Sequence, residues 1–96
     1  MINVSIVDEH PVFSEAIGAL VSNTEDIKLI SCHTNINELL LSIQDNLVHV
    51  AIVVVHSPQK KILEDIKVIT YRYPKLKVLV LTIKVNEKFI LKLIKV

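Results

Sequence analysis

Val50-Ala51-Ile52-Val53-Val54-Val55, followed at once by His56-Ser57-Pro58, decides how this chain folds. The run is apolar at every position, with no alternation of polar and apolar residues. An antiparallel strand with one wet face would alternate. A continuous apolar run suits a strand covered on both faces, as in a parallel sheet flanked by helices. Ser57 then reads as a helix N-cap and Pro58 as the first helical residue, because Pro lacks the N–H that the first turn leaves unpaired.

The same grammar extends in both directions. Downstream, Ile62, Ile66, Ile69 and Tyr73 recur at helical spacing up to Pro74, and Lys77 to Thr82 forms the next strand. Asn86 is placed to cap a last helix with Phe89, Ile90, Leu93 and Ile94 inward and Lys88, Lys92 and Lys95 in water. Upstream, Asn35 and Glu38 have the spacing of a capping box for a helix striped by Ile36, Leu39, Leu40, Ile43 and Leu47. Ile27 to Ser31 precedes it as a strand. The first strand, Ile2 to Val7, ends at Asp8-Glu9. His10-Pro11 then opens a helix over about residues 11–22, with Phe13, Ala16, Ile17 and Leu20 as its stripe.

The order is β-α-β-α-β-α-β-α. It predicts an α/β fold with right-handed crossovers and a parallel sheet of four strands covered by helices. One domain, residues 1–96, is expected. The strand ends recur every 23 to 27 residues.

Composition narrows the function classes. The chain has 96 residues, 51% of them hydrophobic, with eleven Lys and Arg against ten Asp and Glu. A net charge of +1 offers no basic excess for phosphate contacts, so DNA binding by these residues is not expected. Cys32 is the only cysteine and cannot form an internal disulfide. The longest apolar run has six residues, against about 20 for a spanning helix. Met1-Ile2-Asn3-Val4 does not resemble a signal peptide. These features fit a cytoplasmic domain whose apolar residues form a core.

In an open parallel sheet, ligands bind at the carboxyl ends of the strands. That rule selects Asp8, Glu9 and His10, then Cys32 and His33, then Val54, Val55 and His56, and finally Thr82. Adjacent carboxylates such as Asp8 and Glu9 suit a hard cation like Mg²⁺. A solvated turn at a helix N-terminus accounts for them equally well. His10, His33, His49 and His56 contain no i, i+3 or i, i+4 pair of a helical metal site. Cys32 reads as a packing residue. Lys60-Lys61 and the series Lys84, Lys88, Lys92 and Lys95 read as solvated helix faces. The single glycine, Gly18, lies inside the first helix, so there is no Gly-rich phosphate loop.

Ile2-Asn3-Val4-Ser5-Ile6-Val7-Asp8-Glu9-His10-Pro11-Val12-Phe13 resembles the opening of receiver (CheY-like) domains in NarL/FixJ-type, LuxR-family bacterial response regulators. Tyr73-Pro74-Lys75-Leu76-Lys77-Val78-Leu79-Val80-Leu81-Thr82 resembles the stretch entering their fourth strand. Val50 to Val55 with His56-Ser57-Pro58 resembles their third strand and the Met-Pro turn after it. The resemblance implies a flavodoxin-like three-layer sandwich with the four strands in the order 2-1-3-4 and a fifth βα unit beyond Val96, so the domain is expected to be C-terminally incomplete. It implies an acidic Mg²⁺ pocket at Asp8 and Glu9 and a switch hydroxyl at Thr82. It also implies a phosphoacceptor position at Val54 and a Lys beyond Val96. Val54 is not a nucleophile, and no acid occurs between Ala51 and Val55. The expectation is therefore a degenerate receiver, not an enzyme. Its acidic pocket would be residual, with no cofactor beyond weak Mg²⁺ binding at Asp8 and Glu9.

Such a domain would act by protein contacts, through a face carrying Val78, Val80, Phe89, Ile90 and Leu93. Its partner would be itself, another response regulator or a histidine kinase. DNA would be reached only through a C-terminal helix-turn-helix domain outside this sequence, and no membrane is involved. The alternatives are a phosphotransfer-competent receiver using His56 or Ser57, and a small phosphocarrier. Phosphocarriers of similar size carry a Cys after the first strand, where this chain has Asp8-Glu9-His10.

Overall fold

The structure, a computed structural model, describes residues 1–57, 59–82 and 87–95. Its strands are β1 (Ile2–Asp8), β2 (Ile27–His33), β3 (Val50–Val55) and β4 (Lys77–Thr82). Its helices are α1 (Pro11–Ser22), α2 (Ile36–Asp45), α3 (Lys60–Arg72) and α4 (Glu87–Ile94). The sheet order is β2-β1-β3-β4, and every pairing is parallel. This is the expected flavodoxin-like architecture. No described helix is long and apolar enough to cross a membrane.

The central strands explain the apolar run. β3 is flanked by β1 and β4, so its backbone groups are paired on both edges. Its side chains alternate between two cores. Ala51, Val53 and Val55 join Val7 beneath Ile36, Leu39, Ile66 and Ile69 of α2 and α3. Ile52 and Val54 join Val4 and Ile6 on the α1 side. Ser5 is also buried, but its hydroxyl is hydrogen-bonded to Ser31 at 2.8 Å across β1 and β2. A buried hydroxyl without that partner would be destabilising.

Four local expectations are corrected. In α1, Phe13, Ala16 and Leu20 are exposed, whereas Ser14 and Gly18 are buried and Ile17 is half-buried. Small residues one turn apart let the helix lie close to the sheet, and this rotates the larger apolar side chains outward. A Cβ on Gly18 would stand 3.2 Å from Leu29 Cδ2. Second, α3 begins at Lys60 with Gln59 at its N-cap position, so Ser57 is not the cap; Pro58 lies outside the described residues. Third, α2 ends at Asp45, which leaves Leu47 beyond the helix and exposed. Fourth, Leu93 packs against the larger core but Ile94 is exposed. Asn86 lies outside the described residues, as do the side chains of Phe89 and Ile90. The α2 cap forms as expected, with Asn35 Oδ1 accepting from the Glu38 amide at 2.9 Å. Glu38 reaches back to the Thr34 amide and hydroxyl.

Candidate functional site

The carboxyl ends of β1 and β3 meet in register, Asp8 beside Val54. The Asp8 side chain is fully buried there. Its Oδ1 accepts two hydrogen bonds, from the His10 amide at 2.9 Å and from His56 Nε2 at 2.6 Å. The carboxylate has no proton to give, so Nε2 carries it; both the Nε2–H tautomer and the imidazolium satisfy this. Oδ2 is buried and has no partner among the described residues.

His56 is the first residue after β3, and its ring folds back over the end of the sheet. The His10 ring meets it edge-on, with centroids 4.5 Å apart, and the Phe13 ring does so at 5.4 Å. Two walls of aromatic edge thus hold the imidazole against Asp8. Glu9 is exposed and has no hydrogen bond to this pair among the described residues. It borders a cavity of about 60 Å³ together with Val54 and Lys61. Thr82 ends β4 beside Val55 and is exposed.

The structure therefore brings Asp8, His10 and His56 together and leaves the other candidates apart. His33 Nε2 is hydrogen-bonded to Ser31 at 2.8 Å, and His49 Nδ1 accepts from the Asn3 amide at the opposite end of the sheet. No three His, Cys, Asp or Glu residues among those described are grouped to hold a metal ion. Cys32 is exposed on the edge strand β2 rather than packed as the sequence suggested, and partial desolvation still pushes its thiol up from the ordinary range, the reverse of what a reactive thiolate needs.

The residues present do not fit Mg²⁺. The ion demands near-octahedral oxygen ligation. Here one oxygen of Asp8 is engaged by an imidazole, the neighbouring strand contributes a buried Val54, and Glu9 opens to solvent. The Asp8–His56 pair is the feature that sequence reasoning missed. Its signal was the placement of a histidine directly after β3, where parallel register brings it next to the β1 end.

On β4, Val78 and Val80 are half-buried and pack against the larger core, so they are not the open part of that strand. Leu79 and Leu81 are the exposed pair, at 51% and 37%. They lie in register with the buried Ile52 and Val54, on the α1 side of the sheet. Of the face expected from the sequence, Val78, Val80 and Leu93 thus lie against the larger core, and the exposed apolar residues of β4 lie on its other side.

The four-stranded parallel sheet in this order matches the flavodoxin-like fold of response-regulator receiver domains. Solved structures that match it include those of RcsB. The isolated receiver domain of RcsB from Salmonella enterica serovar Typhimurium, solved with the phosphomimetic BeF₃⁻, superposes with a TM-score of 0.86 at 24% identity over 98% of this chain and 70% of that one. The Salmonella typhimurium RcsB response regulator matches at 0.85 and 24% identity over 98% of this chain and 48% of that one. RcsB in complex with DNA matches at 0.75 and 26% identity, over 84% of this chain and 42% of that one. The chain spans about half the length of the RcsB response regulator. No family model and no curated protein sequence matches the chain.

Proposed function

We propose that this chain is a non-enzymatic, cytoplasmic receiver-type module that regulates by protein contacts and without phosphotransfer. The observation that carries the reading is the end of β3. Aspartyl-phosphate chemistry needs a carboxylate nucleophile at the strand end. This chain has Val54 there, 3% exposed, within a run that contains no acid. The adjacent Asp8 is held by His56 rather than left open to a cation. The output is then set by docking onto another receiver fold, either a second copy or a response regulator. The open β4 side with Leu79 and Leu81, together with Phe13 and Leu20 of α1, supports that mode. The regulatory setting we assign by likeness to RcsB is transcriptional, with DNA contacted by a domain outside residues 1–96.

Incubation with acetyl phosphate and Mg²⁺, followed by mass spectrometry at neutral pH, tests the reading. The unmodified mass is the expected result. A phosphate mapped to His56 or Ser57 would move the assignment to a phosphotransfer-competent domain using a different nucleophile. The contact mode is checked by sedimentation velocity. Self-association that is abolished by Leu79→Glu or Leu81→Glu is expected, and a monomer at all concentrations would remove the second copy as partner.

A further inference from the structure

The opposite end of the sheet carries a second site. At the amino ends of β1, β3 and β4 a groove of about 820 Å³ opens. One strand length, about 20 Å at roughly 3.3 Å per residue, separates it from Asp8. The volume is within the usual range of small-molecule pockets, about 300–1,000 Å³. Its floor is the uncovered end of the larger core: Val48 and Leu76 are buried, and Ile43 and Tyr73 are partly buried against the same cluster.

Its rim has one sign of charge. Arg72, in the last turn of α3, Lys75, in the turn that follows, and Lys77, which starts β4, all border the groove. All three are exposed, and none has an ion pair among the described residues. No Asp or Glu borders the groove, and none occurs in the sequence between Asp65 and Glu87. Of the polar side chains at this end, His49 Nδ1 accepts from the Asn3 amide, the Asn3 side chain donates to the Leu47 carbonyl, and Asn46 Nδ2 donates to the Ser42 carbonyl.

An apolar floor with a cationic rim selects a ligand with an apolar body and an anionic head. We propose that this groove binds an amphipathic monocarboxylate, of the class of a medium-chain fatty acid. The acyl chain lies over Val48, Leu76 and Tyr73, and the carboxylate meets Arg72, Lys75 and Lys77. This site is independent of the acidic end of the sheet and of the contact face on β4.

Calorimetric titration of the 96-residue chain with decanoate, below its micellar concentration, tests the proposal. Saturable binding is expected, with amide NMR shifts confined to residues 43–50 and 72–77. Octanoate is expected to bind about 16-fold more weakly, at roughly fourfold per methylene. The double substitution Arg72→Gln/Lys75→Gln lies on the solvent-exposed rim. It should weaken decanoate at least fivefold and leave decanol unchanged. Equal affinity for decanoate and decyltrimethylammonium, shifts centred outside those segments, or no saturation would each overturn the proposal. So would tighter binding of an acidic amphipathic helical peptide, which would make the groove a protein-docking surface.

Discussion

The two faces of the sheet are built from the same strands and reach different ends. On the face beneath α2 and α3, side chains from β1 and β3 are sealed: Val7, Ala51, Val53 and Val55 are all at most 4% exposed. Half-buried Val78 and Val80 extend that core onto β4, where Leu93 of α4 also packs. On the α1 face the row changes abruptly. Ile52 and Val54 are 8% and 3% exposed, while Leu79 and Leu81, their register partners one strand along, are 51% and 37% exposed. Strand composition is similar on both faces. The helices above the sheet, rather than the apolar content of the strands, therefore decide which of the described side chains are buried.

The comparison breaks most directly through truncation. Leu39→Ala on the sealed face removes a side chain with no exposure and should destabilise the domain by about 2–5 kcal/mol, since transfer and cavity terms add. Leu79→Ala on the open face should cost under about 0.5 kcal/mol, as surface changes generally do. Urea unfolding followed by circular dichroism measures both. Equal losses would mean that the α1 face is closed in solution, by self-association or by another covering.

A smaller effect is expected where the two faces meet, at the strand ends. His56→Ala leaves Asp8 Oδ1 with only the His10 amide, in a site where Oδ2 has no partner. Leaving a buried acceptor under-satisfied costs about 1–3 kcal/mol. Adding Asp8→Asn to His56→Ala should recover at least half of that loss. The buried charge is gone, and the amide oxygen still accepts from His10. A double-mutant cycle on unfolding free energies reads the coupling. Additive losses would show that His56 packs beside Asp8 without pairing with it.

How much of this was legible in the sequence follows a physical division. Element order and a parallel sheet were legible, because they rest on local period and on the apolar run at Val50 to Val55; the strand order 2-1-3-4 came only with the family resemblance. Positions that depend on a neighbouring element were not. Lys77-Val78-Leu79-Val80-Leu81-Thr82 is apolar at both parities. Only register with β3 shows that Leu79 and Leu81, rather than Val78 and Val80, face the open side. Phe13 and Leu20 have the spacing of a buried stripe, but close docking at Ser14 and Gly18 turns them outward. The acidic pair at Asp8 and Glu9 was visible from its place at the carboxyl end of the first strand. Its different outcomes, one carboxylate buried under His56 and the other in water, depend on side-chain directions beyond the strand ends.

The finest test concerns how tightly α1 closes its face. Gly18 sits inside α1, where Ala would favour the helix by about 0.8–1 kcal/mol. Against that gain, the new Cβ would stand 3.2 Å from Leu29 Cδ2. The opposing atom is the far end of a half-buried side chain on the edge strand β2, which is free to shift by a few tenths of an ångström. The two effects should nearly cancel, leaving Gly18→Ala within about 0.5 kcal/mol of the parent. Thermal unfolding measures the difference. A loss above about 1 kcal/mol would show that Leu29 is locked, and that the α1 side of β2 is packed as rigidly as the sealed face. A gain near the full helix propensity would show the reverse: α1 already rides loosely on β2, and the openness seen at Leu79 and Leu81 extends across the whole face.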